Sequence, residues 1–316
     1  MRSSHTRAVL LALFVTVLWS SSWVLIKIGL KDIPALTFAG LRYMLAFLAL
    51  LVVAAWRRQL GALAALPARS WVRLIALGVI LYALTQGAQF LSLFYLPAMT
   101  TSLMLSFTSI FVALLGGVFL QERLTWVQWS GIAVYLAAVF TYIGPGGWPR
   151  GQTLGLVIAA VGMLANALAA ILGRAVNRSG ELEPLQVTVV SMGVGASLLL
   201  GSGVALQGLP HLGLRQGLIV LWLALVNSAL AYTLWNRALR ALSAVESTIL
   251  NNTMLFQIAL LAWAFLGESL TLRQVAAVGL AFAGTALAQL SGPTRGPAMG
   301  EPPAALGDPT EREHGA

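Results

Sequence analysis

Long apolar stretches recur along the chain, and short polar or Pro- and Gly-rich stretches separate them. A helix that spans a membrane needs roughly 20 predominantly apolar residues, and ten stretches are long enough. They cover residues 8–28, 36–55, 72–94, 99–120, 126–144, 153–173, 185–206, 217–236, 245–266 and 272–290. The pattern therefore predicts an all-α integral membrane protein with ten transmembrane helices.

A polar signature occurs twice, 146 positions apart, after the fourth and after the ninth apolar stretch. Its members are Glu122, Thr125 and Gln128 in the first copy and Glu268, Thr271 and Gln274 in the second. The surrounding segments 93–137 and 239–283 align without a gap and share 13 of 45 residues. The repetition predicts two related halves, residues 8–144 and 153–290. Because each half has five spans, the second enters from the opposite side, which gives two inverted five-helix repeats.

The signature itself indicates a structural turn. A threonine followed three residues later by glutamine is a capping-box pattern, in which each side chain bonds a free backbone amide at the start of a helix. The two glutamates lie beside these turns on opposite faces of the membrane. A nearby helix N-terminus stabilises a negative charge, which is a structural role for both. A catalytic or proton-carrying role for Glu122 and Glu268 is the alternative.

The amino-acid composition agrees with a protein that is embedded in a lipid bilayer. Hydrophobic residues make up 59% of the 316 residues and charged residues only 9%, against about 25% charged in ordinary soluble domains. The absence of cysteine excludes disulfides and cysteine-ligated metal sites. The composition of residues 291–316 predicts a disordered cytoplasmic tail.

The net charge of +9 is explained by the side of the membrane on which the basic residues lie. With the N-terminus in the cytoplasm, thirteen Lys and Arg residues lie inside and four outside, as the positive-inside rule expects. The charge therefore requires no nucleic-acid partner. We expect a multi-pass protein of the cell membrane, in contact with the lipid bilayer, with both termini in the cytoplasm.

Several short motifs along both halves resemble the EamA-type drug/metabolite transporters. The first half has Leu18-Trp19-Ser20, Lys27, Arg42, Leu96-Pro97-Ala98 and Glu122-Arg123-Leu124-Thr125, and the second has Tyr232, Leu242-Ser243-Ala244 and Gly267-Glu268-Ser269-Leu270-Thr271. The resemblance implies ten helices, a central cavity between the halves and movement of small metabolites, often outward. Many members have a proline where this chain has Ser109 and Leu255, so we expect straighter fourth and ninth spans here.

Polar side chains inside the spans repeat on equivalent helix faces in the two halves. In a membrane such side chains face protein or water, so they are candidates for lining a cavity on the pseudo-two-fold axis. The candidate substrate-binding residues are Trp19, Ser20, Trp23, Lys27, Tyr82, Gln86, Gln89, Ser106, Asn166, Tyr232, Trp235 and Asn252. The alternative is that these groups only hold neighbouring helices together by hydrogen bonds.

Three charged residues carry open alternatives. Lys27 and Arg42 lie within spans, and each either binds an acidic group of the substrate or extends its charge to the membrane surface. Glu246, at the start of the ninth span, is the candidate for coupling to a proton, with helix N-terminal electrostatics as its alternative. A counter-substrate is the other candidate coupling partner.

The sequence has none of the motifs of an enzyme, such as a phosphate-binding loop or a pair of zinc-binding histidines, and we expect no catalytic residues, metal or cofactor.

We therefore expect a secondary active transporter of a small-molecule substrate that works by alternating access. Export of amino acids or related compounds is an implication of the family resemblance. The alternative functions are a channel or a non-transporting scaffold, and an intramembrane enzyme is the least supported. A scaffold should have a dry seam between its halves, and a carrier should have a polar cavity open to one side.

Overall fold

A computed structural model of the chain describes residues 2–61, 66–119, 125–147, 151–178, 182–239, 242 and 244–290. Glu122 and the tail 291–316, both subjects of sequence predictions, lie outside the described residues. All regular secondary structure within the described ranges is helical. Seven of these helices are long and apolar enough to cross a membrane, and two shorter apolar helices accompany them.

The helices follow one another in the order in which the apolar stretches occur. They are α1 (Arg2–Gly29), α2 (Ala35–Trp56), α3 (Ala68–Gly78), the π-helix π1 (Val79–Gln86), α4 (Gly87–Tyr95), α5 (Ala98–Ser106), α6 (Thr108–Phe119), α7 (Trp126–Ile143), α8 (Thr153–Arg178), α9 (Pro184–Gln207), α10 (Leu214–Ala224), the π-helix π2 (Leu225–Leu230), α11 (Ala231–Leu239), α12 (Ala244–Asn252), α13 (Met254–Leu266) and α14 (Leu272–Leu290). Helices α3, π1 and α4 are continuous, as are α10, π2 and α11.

The irregular places in the helices recur at the repeat distance. The π-helices begin at Val79 and Leu225, 146 positions apart. The breaks between α5 and α6 and between α12 and α13 fall at Phe107 and Thr253, again 146 positions apart. At both breaks the backbone N–H bonds the carbonyl three residues earlier, at 3.3 Å and 3.2 Å, so that the turn tightens in the same way.

These breaks correct the expectation that the fourth and ninth spans are straighter because Ser109 and Leu255 replace prolines. Hydroxyl groups at both breaks bond preceding backbone carbonyls. Ser106 Oγ donates to the carbonyl three residues earlier at 2.8 Å, and Thr253 Oγ1 does the same at 2.6 Å. Ser21 and Ser22 make the same bonds within the continuous helix α1, so the hydroxyl groups alone do not explain the breaks.

Helices of the first half pack mainly against helices of the second. Helix α7 packs along α14, α2 along α9, α1 against α11 and α13, and α8 against α4 and α5. At the crossing of α7 and α14 two glycines face each other, and a Cβ on Gly284 would lie 2.6 Å from the backbone nitrogen of Tyr135 and 2.8 Å from the carbonyl oxygen of Gly131. Small residues allow this close approach of two backbones, as is common between helices in lipid.

Both copies of the Thr-x-x-Gln signature have capping-box geometry. The backbone amide of Thr125 donates to the Gln128 side chain at 2.8 Å, and the amide of Gln128 donates back to Thr125 Oγ1 at 3.3 Å. The corresponding distances between Thr271 and Gln274 are 3.0 Å and 3.3 Å. These bonds satisfy amides that a helix N-terminus otherwise leaves free, and so define where α7 and α14 begin.

Candidate functional site

A central cavity of about 270 Å³ lies between helices of the two halves. Its described lining consists of Trp19, Ser22, Trp23, Arg42, Tyr43, Gln86, Gln89, Ser102, Leu105, Ser106, Asn166, Tyr232, Asn251, Asn252, Met254, Leu255 and Ile258. The lining combines carboxamides, hydroxyls and aromatic rings, and it follows the helix irregularities. Gln86 ends π1, Tyr232 lies just after π2, and Ser106 and Asn252 each precede a break. Irregular backbone at membrane depth is tolerated where it borders such a cavity.

Most of the candidate substrate-binding residues come together here. Eight of the twelve line the cavity, namely Trp19, Trp23, Gln86, Gln89, Ser106, Asn166, Tyr232 and Asn252. The other four, Ser20, Lys27, Tyr82 and Trp235, lie outside the cavity lining. Each of the four has a different partner in the structure.

Ser20 takes part in a hydrogen-bond network that joins the two halves. Its hydroxyl donates to Gln257 Oε1 at 2.9 Å, and the Gln257 amide donates to Thr16 Oγ1 and to Thr253 Oγ1, both at 3.0 Å. The polar face of α1 therefore divides, with Ser20 and Thr16 toward α13 and Trp19 and Trp23 at the cavity. The sequence did not identify Gln257 as a member of this network. The only indication was a glutamine four residues after Thr253 in an otherwise apolar helix.

Tyr82 is buried beside the cavity-lining residue Tyr43. Its ring packs against that of Tyr43 at 5.6 Å between centroids, and the Tyr43 hydroxyl donates to Gln86 Oε1 at 2.6 Å. The sequence prediction placed Tyr82 and Gln86 on one face by α-helical spacing. A π-helix has i to i+5 bonds, so that spacing does not apply across residues 79–86.

Aromatic rings form one side of the site. The Trp19 ring lies 5.3 Å from that of Tyr232 and 5.2 Å from that of Trp235, both in tilted arrangements. Trp235 also packs against the apolar cluster of Ala8, Ala12, Ala238 and Leu242. Trp235 thus supports Trp19 from behind, and Trp19 presents a ring to the cavity.

Lys27 and Glu268 complete the turn between α4 and α5. Lys27 Nζ donates to the carbonyls of Leu93 and Leu96 at 2.5 Å and 2.6 Å. The Glu268 carboxylate accepts from the backbone amides of Ala98 and Met99 at 2.6 Å and 3.2 Å. A cation at a helix C-terminus and an anion at a helix N-terminus are both favourable, so each charge has a structural partner. Glu268 comes from the second half and Lys27 from the first.

Glu246 lies at the start of α12, and its carboxylate is 3.2 Å from His5 Nε2, with both side chains more than 40% exposed. It is not among the residues that line the cavity. Within the described residues no group of three or more His, Cys, Asp or Glu side chains could hold a metal ion.

Arg42 is a lining residue whose role the sequence left open between substrate binding and the membrane surface. Its side chain is 5% exposed and reaches the cavity instead of the surface. The Nε donates to Ser228 Oγ at 3.2 Å, and the guanidinium carbon lies 5.1 Å from the centre of the Tyr43 ring. Ser228 belongs to π2 and donates in turn to the Leu223 carbonyl at 3.0 Å. The π-helix of the second half therefore positions a cation of the first.

A second cavity, of about 620 Å³, lies beside the α4–α5 turn. It is lined by helix ends and loops, including Thr100, Tyr142, Gln152, Glu268 and Arg273. The central cavity differs because its lining comes from the interior of helices in both halves, where a carrier's binding site is expected.

The sequence matches the EamA-like transporter family over residues 6–144 and again over residues 153–290. A probable amino-acid metabolite efflux pump of Salmonella typhimurium is 31% identical over 87% of this chain and 92% of its own length. A pump of the same description from Escherichia coli is 30% identical over 72% of this chain and 77% of its own. An S-adenosylmethionine/S-adenosylhomocysteine transporter of Chlamydia trachomatis is 24% identical over 89% of this chain and 88% of its own.

A solved crystal structure has the same fold, with a TM-score of 0.65 over 90% of this chain and 98% of its own, at 18% identity. The two family matches cover both halves, and the apolar helices have the length and composition of membrane spans. The chain therefore belongs to the EamA-like transporter family, within the drug/metabolite transporters, and is a multi-pass membrane protein.

Proposed function

We propose that this chain is a secondary active transporter that exports amino acids or related compounds by alternating access. The observation that carries the proposal is the central cavity, which both halves line with carboxamide, hydroxyl and aromatic side chains. A scaffold would need a dry, packed seam at this place. A volume of about 270 Å³ suits a small metabolite.

The proposed architecture has ten spans in two inverted repeats, 8–144 and 153–290. The interrupted pairs α5–α6 and α12–α13 and the continuous runs through π1 and π2 each count as one span. The equal spacing of the π-helices and of the breaks, and the reciprocal packing of helices between halves, support this division. In inverted repeats the substrate site lies where the halves meet, near the middle of the membrane.

In the proposed orientation both termini are cytoplasmic, and the α4–α5 turn lies at the outer face. Lys27 and Glu268 hold this turn closed between the halves. Alternating access then requires that these contacts loosen when the cavity opens outward. Amino-acid export is proposed because two of the relatives are described as probable amino-acid metabolite efflux pumps.

Metabolite release tests the proposal. Cells that overproduce the chain and cells that lack it are compared by mass spectrometry of the medium, with Gln89→Leu and Phe94→Leu as matched variants. Gln89 lines the cavity, whereas Phe94, on the same helix, is 53% exposed on the surface. We expect extracellular amino acids or their derivatives to rise with the wild type and with Phe94→Leu, and to fall back with Gln89→Leu. The proposal fails if no compound depends on the chain, or if Gln89→Leu exports as the wild type does.

Counterflow in liposomes distinguishes a carrier from a channel. Unlabelled compound inside the liposomes should accelerate uptake of the labelled compound, because an alternating-access carrier returns faster when loaded. Uptake that is independent of internal compound would instead indicate a channel.

A further inference from the structure

Of the described residues that line the central cavity, Arg42 alone carries a formal charge. Its side chain is 95% buried and meets no carboxylate among the described residues. A buried, unpaired charge is costly, and the Ser228 hydroxyl and the Tyr43 ring offset that cost only in part. Intramembrane charges that persist in such positions mark binding sites or ion pathways.

The geometry leaves part of the guanidinium free. Ser228 accepts from Nε, and the terminal N–H groups form no hydrogen bond with any described residue. Two parallel N–H groups of an arginine match the two oxygens of a carboxylate, which is the arrangement of the strongest side-chain ion pairs. The cavity therefore holds a donor pair that lacks its acceptor.

A second donor, on a residue that lines the same cavity, also lacks an acceptor. Asn252 is buried, and its side-chain nitrogen has no hydrogen-bond partner among the described residues. An unpaired buried donor costs free energy until a ligand supplies an acceptor. No acidic side chain is present in the described lining to receive a positively charged group.

Only the first of the two repeated halves contributes a charged side chain to the described lining of the cavity. The residue 146 positions after Arg42 is Thr188, so the second half has no matching cation. A substrate bound here meets a cation from the first half and the Tyr232 ring, carboxamides and apolar groups from the second. This favours a compound with an acidic end and a neutral or apolar remainder.

We propose that Arg42 binds the carboxylate of the transported compound, and that the site therefore accepts zwitterionic and anionic monocarboxylates and rejects cations that lack a carboxylate. This proposal rests on the proposed transport function and specifies its substrate class. Arg42 is then a specificity-determining residue that contacts substrate, whereas Lys27 is a structural cation whose ammonium is bonded to helix carbonyls.

Matched ligands test the proposal on the wild-type protein, without relying on any variant to fold. The purified chain in detergent is titrated with leucine, leucinamide, N-acetylleucine and N-acetylleucinamide, and the midpoint of thermal unfolding is followed. The last two differ only in the carboxylate. We expect both carboxylates to raise the midpoint and both amides to bind roughly 10- to 100-fold more weakly, as expected for loss of a charged hydrogen-bonding partner.

Variants then assign the effect to Arg42. Arg42→Gln should remove the preference for N-acetylleucine over N-acetylleucinamide. Arg42→Lys should retain part of this preference, because it keeps the positive charge but lacks the two parallel N–H groups of arginine. Arg57→Gln is the matched control, because Arg57 follows the same helix α2 and is exposed. Isoamyl phosphate is included as a competing oxyanion.

Equal binding of acids and amides by the wild type, no binding of either carboxylate, tighter binding of isoamyl phosphate, or an unchanged preference in Arg42→Gln would each overturn the proposal. Failure of the transport function has a separate signature. It would leave the carboxylate preference in detergent intact while no metabolite depends on the chain for release from cells.

Discussion

At the scale of single residues, the two cations of the spans have opposite roles despite similar sequence contexts. Lys27 is bonded to two carbonyls at the end of α4, whereas Arg42 reaches the central cavity. The sequence treats them alike because both interrupt apolar stretches. What separates them is the position of residues more than 60 positions away, which local periodicity does not contain.

We expect Lys27→Met to destabilise the fold and to leave ligand affinity unchanged. The substitution keeps an unbranched side chain one atom shorter and removes two charge-assisted bonds, at a cost of about 1–2 kcal/mol. Thermal unfolding measures the loss, and titration with N-acetylleucine measures affinity. A variant that melts as the wild type does but binds more weakly would instead place Lys27 at the substrate.

At the scale of elements, residues predicted from helical spacing to share one face did not all reach the cavity. Trp19, Trp23 and Asn166 line the cavity, whereas Ser20, which follows the same α-helical spacing as Trp23, bonds Gln257 of α13. Tyr82 lies outside the cavity lining whereas Gln86, on the same π1, is part of it, and nothing in the residues Val79–Gln86 marks a π-helix. The breaks were equally hidden, since serines make the same bonds to preceding carbonyls in continuous helices, as Ser21 does in α1.

The crossing of α7 and α14 gives a prediction for helix packing. A methyl group at Gly284 would meet the backbone of Tyr135 at 2.6 Å, so Gly284→Ala should destabilise the protein by about 1–3 kcal/mol. Gly279 lies on the same helix with open space around it, and Gly279→Ala should be neutral or stabilise by about 0.5–1 kcal/mol. Thermal unfolding in detergent compares the two. Equal effects would show that the crossing is not tightly packed.

At the scale of the whole molecule, length, composition and the repeated turn were sufficient to predict a membrane protein of two related halves. The family resemblance came from short motifs in both halves, and the matches over residues 6–144 and 153–290 confirm it. The cavity was predictable only in outline, because its lining depends on how the halves are placed against each other.

Orientation can be tested directly because the chain has no cysteine of its own. Gly61 and Gly146 are exposed and a side chain at either would meet nothing within 4 Å, so single cysteines there should not disturb the fold. We expect a membrane-impermeant maleimide to label Gly146→Cys in intact cells, and Gly61→Cys only after permeabilisation. The reverse pattern would invert the proposed topology.

The two broken spans also determine how much of the protein has to move. Helices α5 and α12 each have nine residues, which rise about 13 Å, or somewhat less than half of a hydrocarbon core about 30 Å thick. In the proposed orientation α5 therefore occupies only the outer leaflet and α12 only the inner one. Each leaflet has a short helix that ends at a break beside the cavity, so we expect one side to open by tilting a single half-helix while the opposite leaflet keeps its packing.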